Sequence, residues 1–316
     1  MAERPVPSTI DALAPADIAR RLEAANVQRA ALPVRSLLTL GLLGGVYIAL
    51  GGALATLALT DSSLGFGVGR LAAGVAFSLG LILLVIGGGE LVTGNALMVV
   101  ALAGGKITAR RVVLNWAVVL VANAAGALLM ALAIHRTGVL DSGGVKTTAI
   151  RIAESKGHLA FDVAFLRGAL CNMLVCLAVW LSAAARSVEG KIVAIVFPIS
   201  AFVALGFEHS VANLYLLPVG MLSGAHLTPA DVIGNIVPVV LGNIVGGVVL
   251  AAASWTVYLG GRAGQDAQSR ARAAASLPAT ESLGPSDIYE RASTPELWSP
   301  HDAQGVMPTR HVPVSG

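Results

Sequence analysis

The chain has 316 residues, of which 55% are hydrophobic and 12% charged, with a formal net charge of +3 and a mean hydropathy of +0.77. That composition excludes an ordinary soluble domain. The small positive charge is gathered between apolar stretches and gives no reason to expect a nucleic-acid partner.

The first 35 residues hold Arg4, Arg20, Arg21, Arg29 and Arg35 and no apolar h-region, so no cleavable signal peptide is expected. Between Ile10 and Arg29, the apolar residues Ile18, Leu22, Ala25 and Val27 alternate with arginines. This pattern predicts a short cytoplasmic amphipathic helix at the membrane interface. Six stretches then lack Asp, Glu, Lys and Arg: Ser36 to Thr60, Leu71 to Gly89, Val112 to Ile134, Gly168 to Ala185, Ile192 to Phe207 and Val232 to Gly261. Each is close to or longer than the roughly 20 residues that cross a hydrocarbon core, and the fifth continues past Glu208 and His209 as Ser210 to Ala225. The expected organisation is an amphipathic arm over 1–35, six membrane spans over 36–262, and a disordered cytoplasmic tail over 263–316, rich in Ala, Ser, Pro and charge. Within that tail, Ile288 to Trp298 is the one stretch suited to docking on a partner or folding back.

Basic residues set the orientation. The arm, Lys106 with Arg110 and Arg111, Arg186 with Lys191, and the start of the tail at Arg262, Arg270 and Arg272 all fall on one side of a six-span chain. Both termini are therefore expected on the cytoplasmic face of the inner cell membrane. The segment from His135 to Arg167 breaks the pattern with Lys146, Arg151 and Lys156, which read as functional or surface charges on the far side.

Two segments carry one polar signature in the same order. Glu90 precedes Asn95 by five residues, as Glu208 precedes Asn213; Asn115 precedes Asn123 by eight, as Asn235 precedes Asn243; Gly126 and Gly246 follow three further on. Paired polar interruptions in two halves of a membrane protein point to a transport site, because broken helices are tolerated only where they line a cavity or are buried in protein. Three spans per half make the repeats enter the membrane from opposite sides. The expected fold is thus an all-α integral membrane protein of six helices in two inverted three-helix repeats, with spans two and five broken. Gly126, Gly246 and Gly247 allow close helix approach.

Glu90 and Glu208 precede the breaks, where a carboxylate accepts hydrogen bonds from N–H groups freed at the start of a half-helix, so they read as structural braces together with Asn95 and Asn213. His209 is the one histidine inside the six spans. A buried neutral histidine bonded to backbone is one reading; an ionisable group in a membrane span, able to exchange a proton near neutral pH, is the other, and the site assignment adopts it. Thr93 and Ser210 either face the pore or back-bond within their helices. Asn172 makes an interhelical hydrogen bond or a pore contact. Lys156, between Glu154 and His158, is a member of a solvated charge cluster or a functional cation. Cys171 and Cys176 are five apart on one helix and read as packing residues. No metal-ligand spacing, P-loop, GxSxG or HExxH pattern occurs, so neither metal, cofactor nor enzymatic activity is expected. An intramembrane enzyme using Glu208 and His209 as an acid/base pair lacks a second reactive group.

Gly206-Phe-Glu-His-Ser-Val-Ala-Asn213, Glu90-Leu-Val-Thr-Gly-Asn95, Cys171-Asn-Met-Leu-Val-Cys-Leu-Ala-Val-Trp180 and Pro238 with Gly242-Asn-Ile-Val-Gly-Gly247 resemble the formate/nitrite transporter family over roughly residues 10 to 260. The resemblance implies an aquaporin-like six-helix fold, a homopentamer with one pore per protomer, and passage of small monovalent anions of weak acids. It makes His209 the central pore histidine with Thr93 and Asn172 near it, Phe77, Leu81, Leu91 and Phe202 constriction residues, and Lys156 a vestibule lysine. Many members have Phe where this chain has Val92.

Desolvating a bare carboxylate in an apolar constriction costs on the order of tens of kcal/mol. Protonating a carboxylic acid of pKa about 4 at pH 7 costs about 4 kcal/mol. The substrate is therefore expected to cross as the neutral acid or with a proton, past His209. Formate is the first candidate, with nitrite, hydrosulfide or lactate by the same mechanism as alternatives. An aquaporin-like neutral-solute channel is a further one, although the Asn-Pro-Ala motifs of such channels are absent.

Overall fold

The computed structural model describes residues 12–60 and 64–261. The expected tail over 263–316, its Ile288 to Trp298 segment and the first residues of the arm lie outside the described residues. Helix α1 (Pro15–Ala30) begins with a proline in its first turn, where a missing N–H costs nothing. It is followed by α2 (Val34–Ala58), α3 (Phe66–Gly87), a 3-10 turn (Gly94–Leu97) leading into α4 (Met98–Ala103), α5 (Ala109–Arg136), α6 (Val145–Gly157), α7 (Phe161–Ala184), α8 (Val188–Leu205), α9 (Ser210–Ser223) and α10 (Pro229–Trp255), which continues as a π turn (Thr256–Gly260). Among the described residues, the only strand-like pairing is an isolated bridge between Ala12 and Ala185.

Six of these helices, α2, α3, α5, α7, α8 and α10 with its extension, are long and apolar enough to span a bilayer. The shorter apolar segments Gly94–Ala103 and Ser210–Ser223 follow α3 and α8, so the second and fifth spans are broken as expected. All six begin before their charge-free stretches, two of them by the widest margins: α3 at Phe66 instead of Leu71, and α7 at Phe161 instead of Gly168. Their leading turns contain Arg70 and Arg167, which line an internal cavity. A charge ends an apolar stretch in sequence but need not end a helix whose terminus opens onto a polar space.

Local signals set the remaining boundaries. The Thr108 and Ser187 hydroxyls accept from the Arg111 and Gly190 amides to start α5 and α8, and Thr228 with Asp231 forms a reciprocal capping box for α10. Gly88 (φ 90°) and Gly206 (φ 75°) close α3 and α8 in a region that side chains rarely adopt, so both interruptions start at a glycine.

Helix pairings in the first half recur in the second. α2 packs on α3 and α5 as α7 packs on α8 and α10; α1 packs on α4 as α6 packs on α9; and α5 meets α9 as α10 meets α4. Helix α6 therefore gives the His135 to Arg167 segment an internal structural role beyond carrying charge. Helix α1 buries Ile18, Leu22 and Asn26 against α4, α7 and the end of α10, while Ala25, expected on its apolar face, is exposed. Helix α1 is thus packed on the protein itself. Outward faces carry exposed apolar side chains such as Val113, Val121, Leu129 and Val249, as a surface without water requires.

A methyl at Gly246 would overlap the Ala169 carbonyl, and one at Gly126 the Leu42 carbonyl, so both α7–α10 and α2–α5 depend on bare backbone contact. Gly246→Ala is expected to abolish the monodisperse species on size-exclusion chromatography in detergent. Gly234→Ala, where an added carbon meets nothing within 4 Å, should leave it intact.

Candidate functional site

Each interruption is held by one asparagine from a neighbouring helix. Asn123 Nδ2 donates to the carbonyls of Gly41 and Glu90, at 2.6 and 2.9 Å, while its Oδ1 accepts from the Val92 amide at 3.0 Å. Asn243 repeats this at the second break, donating to Gly168 and Glu208 at 2.8 and 3.0 Å and accepting from Ser210 at 2.9 Å. The amides of Glu90 and Glu208 are taken by the Leu40 and Arg167 carbonyls of α2 and α7. Sequence reading assigned the freed amides to the glutamate carboxylates. The carboxamides take them instead, because one Asn offers both the acceptor and the donor that a gap in a helix needs, whereas a carboxylate offers only acceptors.

The carboxylates are spent on cations and side-chain amides. Glu90 accepts from Arg29 Nε at 2.8 Å and Asn95 Nδ2 at 2.6 Å, and Asn95 also donates to Asn115 Oδ1 at 2.8 Å. Glu208 accepts from Lys156 Nζ at 2.9 and 3.0 Å and from Asn213 Nδ2 at 2.6 Å, and Asn213 also donates to Asn235 Oδ1 at 2.8 Å. A cation from a short amphipathic helix, a glutamate and two asparagines thus form the same chain twice. Both glutamates are buried, and pairing is what makes a carboxylate tolerable there. The half-helices start at Gly94 and Ser210, slightly before the Asn95 and Asn213 positions expected for them.

His209 stands at the N-cap of α9, and its Nδ1 accepts from the Ala212 amide at 3.1 Å. A ring nitrogen that accepts cannot carry a proton, so the neutral ring is protonated at Nε2, which lies 3.2 Å from Thr93 Oγ1. A hydrogen bond between the two breaks joins the halves at this point. Asn172 strengthens the junction by donating to the Thr93 and Asn243 carbonyls, and Cys176 Sγ approaches the Thr93 carbonyl at 3.7 Å. The Asn172 Oδ1 and Ser210 Oγ atoms are buried without a partner among the described residues, so Ser210 does not back-bond within its helix.

Phe77 and Phe202 meet edge to face at 5.5 Å between centroids, with His209 at 6.4 Å from Phe77 and stacked on Phe202 at 6.0 Å. All three line a cavity of about 890 Å³ whose wall also contains Arg70, Arg151, Lys156, Arg167, Glu208 and Asn213. Four cations and one anion face this space. Glu208 therefore borders this cavity as well as bracing the break, with its charge met by Lys156. Leu81, one turn beyond Phe77, and Leu91 are buried in the apolar core and do not line the cavity, so the four expected constriction residues divide into two pairs.

The family model described as Formate/nitrite transporter matches residues 16–257. The chain belongs to the formate/nitrite transporter family. It is 36% identical over 272 residues to the formate channel FocA of Escherichia coli strain K12, covering 79% of this chain and 95% of that protein. It is 37% identical over 266 residues to a probable formate transporter of Methanothermobacter thermautotrophicus, with coverage of 78% and 97%. Among solved structures, a pentameric formate channel with formate bound superposes with a TM-score of 0.66 at 36% identity, covering 72% of this chain and 98% of that one. An FNT family ion channel does so with a TM-score of 0.70 at 28% identity, covering 76% and 98%. Formate/nitrite transporter membership makes the chain a multi-pass membrane transport protein, and the intramembrane-enzyme reading of Glu208 and His209 falls.

Sequence reading of this family member missed Arg29, the counterpart of Lys156, along with Asn26, which links Arg29 to the Leu97 carbonyl, and Arg70 and Arg167 of the cavity wall, whereas Arg151 was among the charges read as functional or surface. The available signal was Asn26 and Arg29 on the buried stripe continuing from Ile18 and Leu22. Because the Lys156–Glu208 pair is largely buried, Lys156→Met should strand a carboxylate and lower stability by about 3–5 kcal/mol. Lys156→Met/Glu208→Gln, which keeps an acceptor for Asn213, should recover most of that loss in thermal melts of the detergent-purified protein.

Proposed function

We propose that this chain passes formate across the inner cell membrane, with a proton or as formic acid, through a pore centred on His209. The observation that carries the reading is a cationic cavity ending on an apolar floor of Phe77 and Phe202 beside a neutral-tautomer histidine. Cations draw a carboxylate into the cavity. The floor then offers it no counter-charge, and protonation at about 4 kcal/mol is far cheaper than carrying a bare anion through. Thr93, Ser210 and Asn172 supply the polar groups beyond the floor, and the unpartnered Asn172 and Ser210 oxygens are available to a passing acid. Leu81 and Leu91 form a second narrowing, and the small Val92 is part of the wall near it.

The recurring helix pairings and doubled cation–Glu–Asn chains support an inverted, aquaporin-like repeat. The basic connections support cytoplasmic termini. The match to a pentameric formate channel supports a homopentamer with lipid-facing outer helices. On this reading the chain comprises an arm over 1–35, a channel over 36–262 and a cytoplasmic tail over 263–316.

The test is counterflow in proteoliposomes with formate, nitrite, hydrosulfide, lactate and glycerol. Formate should exchange fastest, and glycerol permeation exceeding that of every anion would overturn the reading. His209→Asn is the sharper probe. Asparagine is itself a good N-cap, so α9 should still form, but it cannot titrate. The variant should fold and should change how formate flux depends on pH. An unchanged pH profile would assign the proton to water and leave His209 a structural group.

A further inference from the structure

Lys156 is the cavity cation first expected to capture anions, yet its ammonium lies 2.9 and 3.0 Å from the two Glu208 oxygens, so the pair presents little net charge. Three other cations stand in the same wall: Arg70 from α3, Arg151 from α6 and Arg167 from α7. Among the described residues, none of the three forms an ion pair. Arg70 is held in place, donating from Nη2 to the Val203 carbonyl at 3.2 Å and lying 5.3 Å from the Phe66 ring centroid. It packs against Gly206, where an added Cβ would fall 2.6 Å from Nη2, so the glycine that closes α8 also makes room for the guanidinium. One of its five N–H donors is used in this way, leaving others for a ligand.

We propose that Arg70, Arg151 and Arg167 form an anion site in the cavity that binds divalent oxyanions, which occupy it without passing and compete with the permeant acid. Guanidinium forks match the paired oxygens of sulfate-type and dicarboxylate ions, whereas a halide offers them only a single spherical acceptor. The cavity volume of about 890 Å³ admits ions far larger than formate. A divalent ion cannot continue, because the Phe77–Phe202 floor would have to accept a doubly charged species or one that had taken up two protons. Binding follows from the cavity alone, whereas competition rests on the reading of the chain as a weak-acid channel.

The probe is sulfate, titrated calorimetrically into the detergent-purified protein at constant ionic strength with chloride as the balancing anion. The parent should bind it. Arg70→Gln/Arg151→Gln should weaken binding about tenfold or more, since each arginine contributes charge-assisted hydrogen bonds. Arg151→Gln alone, on an exposed side chain, should weaken it measurably without threatening the fold. Lys156→Met/Glu208→Gln, which removes a neutral pair, should change it less than about twofold. In proteoliposomes, sulfate on the cavity side should raise the apparent KM for formate and leave the maximal rate unchanged. No sulfate binding by the parent, equal binding by the arginine variants, or inhibition no greater than that by chloride at the same ionic strength would overturn the proposal. Sulfate binding with no formate flux would support the site and overturn the transport reading.

Discussion

A helix interrupted inside an apolar slab leaves amides and carbonyls with no water to bond, and the rest of this structure depends on how that demand is met. Asn123 and Asn243 meet it from neighbouring helices, each spanning a gap from the carbonyl of a glutamate to the amide two residues later. An unpaired buried group costs about 1–3 kcal/mol, so two open breaks would cost a large fraction of an ordinary folding free energy. Placing the asparagines requires close contact of α2 with α5 and of α7 with α10. Gly126 and Gly246 provide it.

The doubled bracing holds a centre that is not doubled. Aligned on their glutamates, the two breaks match Leu91 with His209, Val92 with Ser210, and Thr93 with Val211. Backbone bonding is the same at matched positions, as the Val92 and Ser210 amides show. The side chains differ at the point where the breaks meet: an apolar group in one break stands for the imidazole in the other, and Thr93 of the first reaches His209 of the second. This division places an aliphatic side chain in one half and an imidazole at the matched position of the other, without changing the scaffold that positions either.

Legibility in the sequence followed the range of the interactions. Glu90 with Asn95 and Glu208 with Asn213 were readable because five residues bring a side chain back across a short loop, and the Asn-to-Asn offset of eight keeps two residues about 80° apart, within one broad stripe of a helix. The six spans were readable from hydropathy alone. Arg29 and Lys156 pair with glutamates 61 and 52 residues away, and no local spacing announces such a contact. The cavity arginines were hidden for a related reason: Arg70 and Arg167 look like the ends of apolar stretches until the folded chain turns them toward a common space. The role of Glu208 was half legible. Its structural importance was evident, but its place in the cavity wall depended on Lys156 arriving to neutralise it.

The central claim of the account is that an apolar floor beside a neutral histidine obliges a weak acid to cross without net charge. Its most direct test is the stoichiometry of initial formate uptake into proteoliposomes, measured with an internal pH indicator and a membrane-potential probe. The account predicts about one proton entering with each formate and no accompanying change in potential. Formate entry that polarises the membrane and leaves the internal pH unchanged would contradict it.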